Sequence, residues 1–265
     1  MDGLASTLTN RRWLSAFEYW LTGYRKIWRA SVASGFIAPL LYLGSLGFGL
    51  GSLVDAHGSG HLDGVSYVAF VAPGILAANA MFTAIAESTS AVLGATKWQL
   101  QYPAQLASPL TTTDVLIGHL AFIAFRITLG ATAFLVIGAL LRAFDSGWVV
   151  LALPVAVLTG LAHATPVMAY SVRQETDSGF TLLFRFGVVP MFLFAGTFFP
   201  VAQLPEGLRW LAWLTPLWHG TTLCRDLSLG AAYVLPSLGH LAYLLAWALG
   251  GAALAVRSYR VRLAV

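Results

Sequence analysis

Residues 30–54 contain no charged side chain, and apolar runs of comparable length recur along the chain. About twenty consecutive apolar residues cross a bilayer as a helix. Lipid tolerates only backbone whose hydrogen bonds close internally. A chain with several such runs is constrained to a bundle of membrane-crossing helices. Of its 265 residues, 58% are hydrophobic and 10% charged, whereas a soluble domain carries about 25% charged residues. The length holds about six spans and little else, so no domain able to bind a nucleotide is expected.

The expected class is all-α: six transmembrane helices at 30–54, 65–86, 115–141, 148–170, from 179 to about 199, and 235–256. Glu87 is read as the end of the second, and Pro166 as a kink in the fourth. Gly47 and Gly51 in the first form a G-x-x-x-G pair suited to close helix packing. The neighbouring Gly44 and Gly49 mimic a nucleotide fingerprint only superficially, because that motif needs a strand before it. Before the first span, residues 11–29 predict an amphipathic helix. Trp13, Phe17, Leu21, Tyr24 and Trp28 recur at steps of three or four, while Glu18 and the bases lie elsewhere. Such a helix suits the headgroup plane. No secretory leader is expected in the first 29 residues, which are polar or amphipathic.

The stretch from 192 to 230 departs from the span pattern. Pro200, Pro205 and Pro216 interrupt it, yet it stays apolar up to Cys224. It is too broken for one span and too apolar for an aqueous loop. Non-helical backbone at membrane depth survives only beside protein or a water-filled cavity, so 200–228 is expected to be a re-entrant helical hairpin.

Few residues invite chemistry. Cys224 is alone, which excludes an intrachain disulfide and a cysteine metal site. Asp55, His57, His61 and Asp63 share a short loop at spacings that match no zinc signature, and they read as a polar loop. The net charge of +4 comes from bases at the ends of apolar runs, not on one face, which argues against nucleic acid. Arg126 falls within the third span, where a charge is a functional candidate; the competing reading is a structural ion pair or a water-facing arginine. His119 is expected to bond between helices and His163 to pack. Residues 173–177 read as a polar hinge. With the N-terminus inside, eleven bases (Arg11, Arg12, Arg25, Lys26, Arg29, Lys97, Arg173, Arg185, Arg257, Arg260 and Arg262) fall on the inner side. Arg142, Arg209 and Arg225 fall outside. This asymmetry predicts cytoplasmic termini and an outward-facing hairpin.

Three stretches resemble one family. They are YLGSLGFGLG (42–51) with GVSYVAFVAPGILAANAMF (64–82), LTTTDVLIGHL (110–120), and FLFAGTFFP (192–200) with LPEGLRWLAWLTPLWHG (204–220). The chain resembles the permease subunits of ABC type-2 exporters, in their nodulation-protein-J-like, lipo-oligosaccharide branch. The resemblance implies a cytoplasmic N-terminus and connecting helix over 1–29, a single six-span domain over 30–257 and a cytoplasmic tail at 258–265. It also implies dimerisation with itself or a related permease, and a separate nucleotide-binding subunit carrying ATP and magnesium. This chain has no phosphate-binding loop of its own and is not expected to be an enzyme.

The coupling segment to that ATPase would be 96–110, with Thr96, Lys97, Trp98, Tyr102, Pro103, Leu106 and Leu110 as contacts and the connecting helix beside it. Glu87 and Gly94 match the family. Tyr102 and Pro103 stand where it usually has a Trp-Glu pair, which leaves the detail of the ATPase contact open.

The expected activity is export of an amphipathic substrate by alternating access from a bacterial inner membrane. Lipo-oligosaccharide, glycolipid or lipid-linked saccharide is the first class, and drug or antibiotic efflux the alternative. Arg126, Phe192, Phe194, Phe198, Phe199, Trp210 and Trp213 are candidates for the substrate path; the competing reading has the aromatics packing or sitting at the interface. A gradient-driven transporter is disfavoured by the absence of a visible repeat with paired breaks. An intramembrane enzyme using His119, His163 or His219 is disfavoured because no nucleophile–base pair stands out. Two lysines against thirteen arginines suggest a GC-rich genome.

Overall fold

The computed structural model describes residues 11–29, 37, 40, 41, 43–45, 49, 51 and 65–263. Most of the expected first span, Gly47 of its glycine pair, the loop 55–63 and both extreme termini lie outside the described residues. Among the described residues every regular element is helical. Four helical stretches among the described residues are long and apolar enough to cross a membrane: Tyr67–Trp98, Thr112–Leu140, Gly147–Ser171 and Val234–Leu263. The apolar stretch Ser178–Phe194 is shorter. The protein is a polytopic helical bundle.

In chain order the elements are α1 (Trp13–Tyr24), α2 (Tyr67–Ser88), α3 (Ser90–Leu93), a π-turn Gly94–Trp98, α4 (Gln101–Leu106) and α5 (Thr112–Leu140). After a 3₁₀ turn at Gly147–Leu151 come α6 (Ala152–Ser171), α7 (Ser178–Leu182), a π-turn Leu183–Val188 and α8 (Val189–Phe194). Then follow a 3₁₀ turn at Val201–Gln203, α9 (Glu206–Trp213), α10 (Pro216–Leu229) and α11 (Val234–Leu263). One end of the bundle, here the lower, holds Trp98, α4, the start of α5 and the end of α11. The upper end holds the starts of α2, α6 and α11.

Local chemistry sets these boundaries. Ser66 caps α2 by accepting from the Ala69 amide at 3.3 Å. Thr111 and Asp114 cap each other at the start of α5, the Asp114 carboxylate accepting from the Thr111 amide at 2.8 Å. Thr215 caps α10 with Pro216 in the first turn, and Gly230, at φ 69°, ends it.

α2 and α6 form the centre, and close approach depends on small residues. A methyl on Gly160 would meet the Ala80 carbonyl at 3.1 Å and Ile127 at 2.4 Å. One on Gly251 would meet Thr165 at 2.3 Å and Pro166 at 2.6 Å. These contacts bring the backbones of α2 and α6, and of α6 and α11, close together, with Ile127 of α5 packed into the Gly160 gap, the kind of packing that holds helices in lipid.

Several boundaries differ from the sequence expectation. The second apolar helix does not stop at Glu87; it is interrupted at Thr89 and continues helical to Trp98. Thr89 donates its hydroxyl to the Ile85 carbonyl at 2.8 Å, and Arg126 pairs with Glu87, so the carboxylate need not mark the water boundary. The fifth helix ends at Phe194, earlier than Phe198–Phe199, because Gly196 adopts φ 80° and turns the chain away. The last helix continues past Arg257 to Leu263. Its 30 residues span about 45 Å, more than the roughly 30 Å hydrocarbon layer, and Tyr259 is buried in that extension.

Candidate functional site

The lower end brings together parts of the chain far apart in sequence. After the π-turn, in which the Gln99 amide donates to Gly94 at 2.8 Å, Leu100 takes a left-handed φ of 51° and the chain reverses into α4. That conformation is costly for a leucine, and it sets Leu100 and Trp98 out from the bundle, both more than half exposed. Pro103 and Ala104 on α4 are exposed as well, whereas Tyr102 points inward and is wholly buried.

Tyr102 is the hub of a buried polar cluster. Its hydroxyl lies 2.6 Å from Nδ1 of His119 on α5 and 3.0 Å from the Tyr259 hydroxyl on α11. All three side chains have 0% exposure. The His119 ring stacks on Trp20 of α1, centroids 3.9 Å apart and planes 14° apart. Burial raises the Tyr102 phenol above its ordinary value, keeping it protonated and able to donate. Phenol and imidazole thus meet each other's polar atoms, while His119 Nε2 is buried without a hydrogen-bond partner among the described residues. Four elements (α1, α4, α5 and α11) therefore meet in one cluster.

α1 reaches the cluster because α5 offers a notch. A methyl on Gly118 would fall 2.5 Å from the Ala16 methyl, and 2.8 Å from both the Phe17 amide and the Trp13 carbonyl. Glycine thus lets α1 lie directly on the α5 backbone. Around the notch Phe17 meets Phe125 edge-on at 6.3 Å, and Tyr24 meets Phe122 and Phe125.

Charges gather beside this joint. Glu175, in the loop after α6, pairs with Lys97 of the π-turn and, at 2.6 Å, with Arg262 near the end of α11. These three and Trp98, Pro103 and Leu106 line a cleft of about 890 Å³. Arg126 pairs with Glu87 at 3.4 Å, and its guanidinium sits 4.9 Å from the centre of the Tyr24 ring. Both line a cavity of about 630 Å³ together with Trp20, Lys26, Gln99 and Gln101. Arg126 thus forms an ion pair at the wall of a cavity.

The aromatic candidates lie apart from Arg126. Phe192 contacts Phe82 and Phe198 at 5.0 and 4.9 Å. Phe194 and Phe199 pack on a small cluster of Val201, Leu204 and Ala212. Trp210 and Trp213 contact each other edge-on at 5.0 Å, Trp210 largely exposed and Trp213 about one third exposed, at 38%. Arg225, counted among the outer bases within the hairpin 200–228, is turned into the bundle. It lies on α10, donating to the Phe70 carbonyl at 2.9 Å and the Gly196 carbonyl at 2.7 Å, with its guanidinium over the Phe70 ring. It fastens α10 to α2 and to the turn after α8. His219 and His240 share a hydrogen bond of 2.8 Å between Nδ1 atoms, joining α10 to α11.

The profile of the ABC-2 type transporter family matches residues 6–228. The chain belongs to the ABC-2 type transporter family. It is 34% identical over 220 residues to Nodulation protein J of Rhizobium leguminosarum bv. viciae, covering 82% of each chain. To Nodulation protein J of Rhizobium meliloti (strain 1021) it is 32% identical over 222 residues, covering 84% of this chain and 83% of the relative. A more distant relative is the Inner membrane transport permease YadH of Escherichia coli (strain K12), 24% identical over 216 residues, or 77% of this chain and 79% of that one. No solved structure matches the chain.

In this ABC-2 family member the sequence-derived coupling residues separate into two sets. Trp98 and Pro103 are exposed, and Lys97, Leu106 and Leu110 half-buried. Thr96 and Tyr102 are buried, Thr96 donating to the Val92 carbonyl at 2.7 Å. On α1, Phe17 and Tyr24 pack against α5, Trp13 and Leu21 are half-buried and Glu18 is exposed; Trp28, beyond the end of α1, is exposed. Sequence reasoning missed Ala16, Trp20, Gly118 and Tyr259. The seven-residue step from Trp13 to Trp20 was the available signal for one of them.

Proposed function

We propose that this chain is the membrane half of an ATP-driven exporter, acting as a dimer in which each permease rests on a separate ATPase subunit. ATP and magnesium belong to that partner, and this chain performs no covalent step. The carrying observation is the buried Trp20–His119–Tyr102–Tyr259 cluster. It ties α4 to α1, to the start of α5 and to the end of α11. A push on exposed Trp98, Leu100 and Pro103, with Lys97 and Leu106 at the rim, therefore moves all four elements as one body. Transport follows as alternating access, with the substrate held differently in two states.

In this reading the lower end is cytoplasmic, as the concentration of Lys97, Arg173, Arg257, Arg260 and Arg262 near it supports. α1 lies at that surface. The bundle has six spans, the first within 30–54 and the fifth built on Ser178–Phe194. The α9–α10 pair is the re-entrant hairpin. The Tyr243 hydroxyl, nine residues into α11, donates to the Leu214 carbonyl at 2.6 Å, and Gly230 returns to lie beside Ser146. Both contacts support a chain that dips into the upper part of the bundle and comes back, with Phe194, Phe198, Phe199, Trp210 and Trp213 flanking the exit.

The substrate class is amphipathic, lipo-oligosaccharide or a related lipid-linked saccharide, a reading supported by the similarity to Nodulation protein J. The location is a bacterial inner membrane, in keeping with the relative named for it. The test is purification of the tagged chain under gentle solubilisation. The reading expects a stoichiometric nucleotide-binding subunit with vanadate-sensitive ATPase, and a second permease band would distinguish a heterodimer. A chain that purifies alone from several mild detergents, without ATPase, overturns it.

A further inference from the structure

The cavity of about 630 Å³ between α1 and α5 brings Lys26, Arg126, Glu87 and Gln99 to one wall. The Arg126 and Glu87 side chains, though paired, are 23% and 20% exposed, so a molecule in the cavity reaches both. Lys26 is exposed and makes no ion pair among the described residues. Gln99, also exposed, accepts at Oε1 from the Gln101 side-chain amide, which leaves its own N–H groups to offer. Two cations stand against one carboxylate, and the reachable amide presents donors. Such a wall fits an anion, above all one whose oxygens accept charge-assisted hydrogen bonds.

The remainder of the wall is apolar. Tyr19 and Ile27 are 46% and 57% exposed, and Phe122 lies behind them. Lys26 follows the end of α1 and precedes the charge-free run 30–54. A base just before an apolar span sits at the level of the lipid headgroups. Basic pockets between spans at the cytoplasmic surface take up anionic headgroups.

We propose that this cavity binds the phosphate of a membrane amphiphile. Arg126, Lys26 and the Gln99 amide donate to the phosphate, while Tyr19, Ile27 and Phe122 receive the start of its apolar part. The proposal rests on the reading of the lower end as the cytoplasmic membrane surface. It requires neither an ATPase nor a second permease, so a chain that purifies alone still tests it. Two sources share this chemistry, a bilayer phospholipid and a transported molecule that carries a phosphate.

The test uses the purified chain in phosphatidylcholine nanodiscs with a trace of photoreactive phosphatidic acid. Photolabel should map to the peptides containing Lys26 and Phe122. Phosphatidylglycerol should displace it, and diacylglycerol, which lacks the phosphate, should not at the same mole fraction. Lys26→Gln should weaken the displacement about fivefold, the contribution of one base near an anionic surface. Arg25 is exposed on the same segment but is not in the wall, and Arg25→Gln should change it less than about twofold, since exposed charges are screened. Glu87→Gln removes the carboxylate that competes for Arg126 and should strengthen displacement. Label absent from both peptides, equal displacement by the two competitors, or equal weakening by Lys26→Gln and Arg25→Gln would overturn the proposal. So would weaker displacement in a Glu87→Gln protein that melts like the unmodified one. Given a labelled cavity, loss of label during ATP turnover with a partner ATPase identifies a transported molecule, and unchanged label a bilayer lipid.

Discussion

Gly118→Ala should loosen α1 while leaving the bundle intact. The added methyl would sit 2.5 Å from the Ala16 methyl and 2.8 Å from backbone atoms of Phe17 and Trp13. Carbon contacts are comfortable near 3.5–4.0 Å, so α1 must retreat by roughly 1 Å. None of the three atoms is the tip of a flexible side chain, so the whole helix moves, and with it the Trp20–His119 stack. Overpacking of this kind costs about 1–3 kcal/mol. Gly130 lies on the same helix with nothing within 4 Å of its methyl position. There the same substitution should be neutral, or stabilising by up to about 1 kcal/mol through helix propensity. Hydrogen exchange of amides 13–24 reads the difference, since exchange follows the free energy of local opening. Gly118→Ala should speed it roughly tenfold to a hundredfold, and Gly130→Ala should leave it unchanged. Equal exchange in the two variants would refute the notch as the seat of α1.

Tyr102→Phe strands the His119 nitrogen and the Tyr259 hydroxyl in a wholly buried place, which should lower stability by about 2–5 kcal/mol in thermal unfolding. Because burial raises the Tyr102 phenol, its contribution should be full below about pH 10 and fall only in stronger alkali. Glu175→Gln removes two exposed pairs, with Lys97 and Arg262. The loss should be at most about 1 kcal/mol per pair and should vanish in high salt. Arg225→Gln removes two charge-assisted bonds, to the Phe70 and Gly196 carbonyls. It should cost about 2–4 kcal/mol and speed exchange across residues 196–229.

Much of the bundle was legible because charge-free runs admit few alternatives, although the Thr111–Asp114 cap that starts α5 three residues before the expected 115 went unread. What was not legible depended on distant partners. Glu87 read as a stop signal, yet Arg126 pairs with it and the helix runs on. Tyr102 occupied a position assigned to surface contact, but His119 and Tyr259, the latter 157 residues away, hold it inside. The stripe drawn through Trp13, Phe17, Leu21, Tyr24 and Trp28 captured most of the buried face of α1. It left out Ala16 and Trp20, whose importance follows from Gly118 on another helix. Arg225 carried no local sign that two backbone carbonyls would receive it.

The most direct test of the coupling account is site-specific photocross-linking from Trp98 in the assembled complex, with Tyr233 as the control. Both positions are exposed, at 58% and 75%, and they lie at opposite ends of the bundle. The account predicts a cross-link from position 98 to the ATPase subunit, changing with nucleotide, and none from position 233. No cross-link from position 98, or an equal yield from the two, would contradict it.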